Sequence, residues 1–367
     1  MKLNYLDNKL FYNYNNYYHI LPCLEVEYKR QKLLESLDKD IKNKFPTFKK
    51  SIYEVLIRQV NKKLDPVLDL INLDDVKLSN FINNRIKFII DELSRIVYKN
   101  EKVYKIISES SIKLKYKDLE VEIPGKIYTR IRHSIIDDSY KYFCNYDSLL
   151  WMIYIRYIKM HLYNNSQGAT TESHYKEIQS NYGSQIEGFG SIFNHTLPYY
   201  FGLFPDLEQY FGCLGNFYES TIRKGFYLVN PPFTVLDINK TIIHLLHQLD
   251  KSTDNLTFLL VIPAWDNNDR RNLNKVCKTN LQIYDYDEKL ELEKCKRSKY
   301  LRKYYLYCKE NYEYYNFLLD KKAHFSATNL ILLSNTKNTF NIQKIFGKPS
   351  IVVYESRIAK NSPKSSI

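Results

Sequence analysis

Phe226-Tyr227-Leu228-Val229-Asn230-Pro231-Pro232-Phe233-Thr234-Val235-Leu236 is the stretch from which the rest of the chain is best read. Its four leading apolar residues suit a strand buried on both faces, and helical spacing runs from Val235 to Leu249. A strand, a tight loop and a helix form the repeating unit of a sheet covered by helices. The two prolines each fix φ, so the loop between strand and helix is stiff. It presents the Asn230 side-chain oxygen, a restrained backbone carbonyl and the flat ring of Phe233.

Those groups suit one kind of chemistry. An amine conjugated with a ring or a carbonyl is a poor nucleophile, because its lone pair is delocalised. Acceptors that hold the NH2 hydrogens orient the group and favour a pyramidal nitrogen as a methyl group approaches. Phe233 supplies a surface on which an extruded base can stack. No general base is needed beforehand, since the nitrogen attacks neutral and loses its proton after transfer. Asn230, Pro231, Pro232 and Phe233 are therefore the candidate catalytic residues. The pattern serves an adenine amine and a glutamine amide equally, so it names a reaction and not a substrate.

Working outward, short apolar runs at Phe258–Ile262 and Leu330–Leu333 alternate with helical segments after about Tyr175. That texture predicts an α/β unit with a largely parallel sheet, whose ligands sit beyond the carboxyl ends of its strands. Upstream the pattern is helical from about Leu21 to Asn100, with Ile52, Val55, Leu56, Val60 and Leu64 on one face. Phe81, Ile82, Ile86, Ile89, Ile90, Leu93 and Ile96 repeat that spacing. Alternation from Ile112 to Ile123 predicts a hairpin, and helix returns through Leu149–Ile155. The polar stretch Asn164–Thr171 is the expected boundary or mobile loop. The expected organisation is a mainly helical domain at 1–175, an α/β domain at 176–357 and a flexible tail at 358–367.

A cofactor loop belongs upstream of the Asn230 loop. Ile186-Glu187-Gly188-Phe189-Gly190-Ser191 offers an acid and two glycines that let a backbone approach a ligand. Phe204-Pro205-Asp206-Leu207-Glu208-Gln209-Tyr210-Phe211-Gly212 adds carboxylates suited to ribose hydroxyls and aromatics suited to an adenine, or else a turn with core aromatics.

The net charge of +13, from 54 Lys+Arg against 41 Asp+Glu, favours a polyanionic partner. Six cysteines without a CxxC pair give neither a disulfide framework nor a zinc site, so reduced thiols and no metal are expected. The polar N-terminus lacks the apolar core of a signal peptide, and no long apolar run suits a membrane span. A soluble protein inside the cell is the plain reading.

Taken in order, these motifs resemble the cap-specific adenosine N6-methyltransferases, the family of the phosphorylated-CTD-interacting factor with a WW domain. The family's loop of Glu, any residue, Phe, small, Ser, two residues and Asn is matched by Glu187 to Asn194. Its Phe-Pro-Asp and Tyr-Phe-Gly segments are matched at 204–206 and 210–212, NPPF at 230–233, Ile-Pro-x-Trp at 262–265 and a His-aromatic pair at His324-Phe325. The resemblance is clearest from Gln185 to Ser334. It implies a Rossmann-like class I methyltransferase domain that uses S-adenosyl-L-methionine. The substrate it implies is the first transcribed adenosine of m7G-capped mRNA. Glu187, Phe189, Gly190, Ser191, Asn194, Asp206, Glu208, Phe211 and Gly212 become the expected cofactor residues.

Trp265 and His324 are expected to line the substrate cleft. Arg130 and Arg132, with the run Lys294, Lys296, Arg297, Lys299, Arg302 and Lys303, are candidate phosphate contacts or solvated helix faces. Segment 266–323 reads as a substrate-facing insertion. Trp151 and Trp265 both lie inside expected domains, so no WW domain and no docking to a polymerase tail are expected. The compartment implied is the nucleus, or the cytoplasm for a viral chain.

Overall fold

The computed structural model describes residues 23–59, 70–97, 99, 101–160, 162, 168–278, 281–282, 290–337 and 340–355. Val60, Leu64, residues 164–167 of the polar stretch and the tail at 358–367 lie outside the described residues.

Three helices come first: α1 (Leu24–Lys44), α2 (Ile52–Gln59) and α3 (Val76–Ser94). The Asp75 side chain accepts from the Leu78 backbone N–H and so starts α3, whose Ile82, Ile86, Ile89 and Leu93 face inward. An antiparallel sheet follows, formed by β1 (Tyr104–Ile107), β2 (Ser111–Tyr116) and β3 (Leu119–Pro124). Its β2–β3 hairpin is the expected one: Leu119, Val121 and Ile123 are buried and their neighbours exposed. Then come α4 (Gly125–His133) and α5 (Tyr146–Lys159), the latter capped by Asn145 and buried nearly all round. The next strand, β4 (Gly168–Thr170), takes up the end of the expected boundary loop and leads into α6 (Glu172–Tyr182).

The remaining elements build a seven-stranded sheet and, through two strands that pair with β4, a small three-stranded one. They are β5 (Ile186–Glu187), β6 (Tyr199–Tyr200), α7 (Pro205–Glu208), β7 (Gly225–Val229), α8 (Val235–Lys251), β8 (Leu256–Pro263) and α9 (Asn267–Leu273). After these come α10 (Leu292–Lys296), β9 (Leu301–Tyr307), β10 (Tyr314–Asn316), β11 (Lys321–Ala323), β12 (Thr328–Ser334), α11 (Ile342–Phe346) and β13 (Ile351–Glu355). The strand order is β13-β9-β12-β8-β7-β5-β6. From β8 to β6 every pairing is parallel, and from β8 to β13 every pairing is antiparallel. Strands β6, β5, β7, β8 and β9 thus share one direction, and β12 and β13 oppose it. The chain is mixed α/β, with most strands aligned as expected.

Two expectations shift. Segment 266–323 is not simply an insertion, because its β9 lies between β12 and β13 within the sheet. Lys and Arg in Leu301–Tyr307 disguised a strand whose last four residues are buried. The expected division at 175/176 falls inside α6, and β4 pairs with β10 from the far side of the chain. The core around the N-terminal helices also takes in Phe193, Tyr200, Phe204, Leu207 and Phe211, so apolar packing is continuous across that division.

The thiols need a correction. Cys277 and Cys308 form a disulfide with Cα atoms 5.6 Å apart, although they are 31 residues apart in sequence. Spacing could not show this, because the fold brings the end of β9 against the residues after α9. The Glu310 carboxylate lies close to this pair. Cys23, Cys144, Cys213 and Cys295 are free and buried. No helix among the described residues is long and apolar enough to cross a membrane.

Candidate active site

The parallel strands β5, β7 and β8 end at one edge of the sheet. Because β12 runs the other way, its start lies there too: Thr328 is opposite Pro263, and the Ala264 N–H donates to the Ala327 carbonyl at 2.8 Å. Glu187, Asn230–Phe233, Ala264-Trp265 and Ser326 therefore meet along a single edge.

Burial at that edge leaves polar atoms without hydrogen-bond partners. They include Thr196 Oγ1 and Asn230 Oδ1, whereas Glu187 meets the Tyr175 hydroxyl and Ser326 that of Tyr314. An unmet buried polar atom costs about 1–3 kcal/mol, so such atoms mark where a ligand completes the bonding. Asn230 follows the fully buried end of β7, and Thr234 caps α8 immediately afterwards by accepting from the Asp237 N–H. Strand and cap hold the loop from both sides. Pro231 is buried, Pro232 exposed and Phe233 half-buried.

The rings converge as well. Phe233 lies edge-on to Trp265 at 6.4 Å and to Tyr314 at 5.9 Å. The sequence missed Tyr314, a residue of the small β4-β10-β11 sheet that flanks the loop. It also missed Thr196 and Ser326, although Ser326 directly follows the His324-Phe325 pair. His324 is exposed and its Nδ1 is 2.9 Å from the Tyr312 carbonyl, so it fixes the approach to β12 at the rim of the cleft.

Glu187 closes β5. Its Oε1 accepts from the Thr196 N–H and, at 2.7 Å, from the Leu197 N–H. Burial pushes its pKa up to about 7 against those two bonds and a third from the Tyr175 hydroxyl. The glycines that follow serve packing: a Cβ on Gly188 would lie 3.0 Å from Val229 Cγ2, and one on Gly190 would lie 2.9 Å from Tyr200 Cβ. They let the loop lie close against β7 and β6. Phe189 packs on Phe217 at 4.9 Å, and Ser191 and Asn194 bond each other, Asn194 Oδ1 accepting from the Ser191 N–H at 2.8 Å.

Glu208 and Phe211 are corrected outright. Glu208 is fully buried, accepting from the Tyr157 hydroxyl at 2.7 Å, the Tyr200 hydroxyl at 2.9 Å and the Ile192 N–H at 3.0 Å. Burial raises its pKa to about 7 despite those donors. It braces the loop after β5 from below and has no face left for a ribose. Phe211 is a core residue of the N-terminal part, and Gly212 is a turn glycine at φ +96° facing the Pro198 carbonyl. Asp206 is held by Arg156 Nη1 at 2.8 and 2.9 Å and stays partly exposed.

The basic candidates are committed elsewhere. Arg130 donates to the Phe193 carbonyl and lies over the Phe317 ring at 4.9 Å, clamping the loop after β5. Arg132 is exposed on α4 beside Tyr146. Lys294, Lys296 and Arg297 pair with Glu291 and Glu293, Lys299 with Asp250 and Lys303 with Glu355. Arg302 bonds the Thr336 carbonyl. The run divides between α10 and β9, so it forms no single basic face.

A family model described as "Phosphorylated CTD interacting factor 1 WW domain" matches residues 126–290, a span that includes β5, β7, the Asn230 loop and β8. The chain is similar to that family. A mouse protein named "mRNA (2'-O-methyladenosine-N(6)-)-methyltransferase" is 27% identical over 168 residues, covering 43% of this chain and 24% of that protein. Its human namesake is 27% identical over 161 residues, 41% of this chain and 23% of that protein. The chain thus spans about a quarter of the length of these curated relatives. The WW description overturns the expectation of a chain without that domain, and with it the argument against polymerase-tail docking. That expectation rested on Trp151 and Trp265, both of which lie inside the matched span.

Proposed function

We propose that this chain is an S-adenosyl-L-methionine-dependent methyltransferase acting on the N6 amine of the cap-adjacent adenosine of m7G-capped mRNA. The observation that carries the reading is Asn230 Oδ1, buried and without a partner, at the end of β7 between two prolines and the aromatic pair Phe233–Trp265. The similarity to mRNA adenosine methyltransferases supports the same substrate class. The strand order, with its parallel half and the Asn230 loop at the carboxyl edge, suits a Rossmann-like class I methyltransferase domain.

The residues fit the cofactor at one end of this edge. Glu187, at the end of β5, and the partly exposed Asp206 would hold its polar groups beside the loop at 188–194. When bound, that group supplies an electrophilic methyl. The chain's own part is to hold the acceptor amine. Asn230 Oδ1 and the Pro231 carbonyl accept its two hydrogens, and Phe233 and Trp265 keep the base in plane with them. The dry surroundings of β7 strengthen those bonds where charge develops on nitrogen. The released proton leaves toward solvent at the exposed rim beside Pro232.

Mass spectrometry of RNA products after incubation with cofactor tests this directly. The expected product is N6-methylation of capped RNA beginning with A, lost in Asn230→Ala. Uncapped RNA, duplex DNA and glutamine-bearing peptides are the other arms. Transfer to DNA or peptide in preference to capped RNA would overturn the reading.

A further inference from the structure

Phe325 is 41% exposed on the segment that enters β12. Its ring lies 5.5 Å from Tyr314, Tyr314 lies 5.9 Å from Phe233, and Phe233 lies 6.4 Å from Trp265. A continuous row of rings therefore runs from solvent to the Asn230 loop. Phe325 is its outer end.

The ring is held in place. A Cβ on Gly168 would lie 2.7 Å from Phe325 Cε2, so the glycine at the start of β4 is what lets the ring rest against that strand. His324, anchored to the Tyr312 carbonyl, fixes the backbone before it, and the Ala327 carbonyl pairs with the Ala264 N–H just after. An aromatic surface fixed before binding loses little freedom when a ligand stacks on it. The strand leading in, β11, exposes Lys321, beside Lys322, which pairs with Glu313. A flat ring held in place and nearby positive charge together suit a nucleobase with its phosphodiester better than an apolar protein surface.

We propose that Phe325 is the stacking platform for a nucleobase flanking the acceptor adenine in the RNA substrate. The proposal rests on the methyltransferase reading above and deepens it by naming a specificity residue. Two bases present the required chemistry, the cap guanine and the second transcribed nucleotide.

The test measures RNA affinity of the full chain by fluorescence anisotropy, alongside steady-state methylation. Phe325→Ala is expected to weaken binding of capped RNA about tenfold and raise KM to match, as stacking losses do. It should leave kcat at saturation and cofactor affinity near wild type. Phe325→Tyr should restore binding, and Gly168→Ala, which displaces the ring, should weaken it. RNA without a cap, and capped RNA abasic at its second nucleotide, identify the base, because the penalty vanishes in whichever arm lacks it. Unchanged affinity on capped RNA, or an equal penalty in all arms, overturns the platform. Wild-type protein that shows the Phe325 penalty yet methylates no RNA would instead overturn the enzyme reading and leave the platform standing.

Discussion

At the junction of α1, α5 and α7, Glu27, Arg30, Arg156 and Asp206 neutralise one another, whereas along the carboxyl edge of the large sheet Asn230 keeps an oxygen unpaired and Glu187 has no cation beside it. Both regions are buried and polar. In the first, Glu27 accepts from Arg156 Nη2 at 2.6 Å, from Gln31 at 2.7 Å and from Arg30. Burial alone would raise its pKa, but Arg156 and Arg30 outweigh that and hold it at about 2. In the second, Glu187 lies near 7 because no cation offsets burial. Paired charge ties the helical part to α7, although Gln31 Oε1 there also lacks a partner, and at the sheet edge Asn230 Oδ1 is left where a ligand can bring the missing one.

The contrast can be broken from either side. Arg156→Ala strips the buried Glu27 of one of its two cations and Asp206 of its arginine, and should cost on the order of 3 kcal/mol, read as a lower denaturation midpoint. A loss under about 1 kcal/mol would show that the junction is not structural.

Asn230→Ala should do the reverse. Methyl transfer is expected to fall about 100- to 1000-fold, equivalent to roughly 3–4 kcal/mol, while the unfolding midpoint stays or rises. A clear fall in stability would move Asn230 into the structural class.

The third prediction concerns pH. Glu187 and Glu208 have folded pKa values of about 7 against an ordinary 4.5, so the folded state binds more protons than the unfolded chain between those values. Their contribution is most favourable below 4.5 and declines as pH rises through 7. Glu27 works oppositely: its contribution is full above 4.5 and lost as pH falls toward 2. Glu187→Gln should therefore flatten the decline between pH 4.5 and 7 by on the order of 3 kcal/mol, measured by denaturant titration at several pH values. An unchanged slope would mean that Glu187 is ionised in the folded protein throughout that range.

The smallest effect belongs to the surface. Arg297 is exposed and only 3.9 Å from Glu293 at best, so Arg297→Ala should change stability by less than about 1 kcal/mol and RNA affinity very little. A large loss of RNA affinity would return α10 to the substrate path.

Much of the site was legible because its elements are local. An apolar run, Pro-Pro and a capped helix at 226–249 gave strand, loop and helix with Asn230 at the carboxyl edge. The alternation of 119–123 likewise gave β3. The failures have a common cause. Leu301–Tyr307 carries Arg and Lys on a buried strand, and Glu208 looked like a ligand carboxylate although its partners Tyr157 and Tyr200 come from other elements. Cys277 and Cys308 likewise meet only because β9 returns against the residues after α9.

By itself, then, the sequence determined the chemistry offered at the Asn230 loop, because side-chain type, proline restraint and adjacent periodicity are local properties. Only the tertiary structure decided which polar groups remain unpaired. That depends on what packs opposite each one: Arg156 on Asp206, two tyrosines on Glu208, and nothing on Asn230 Oδ1.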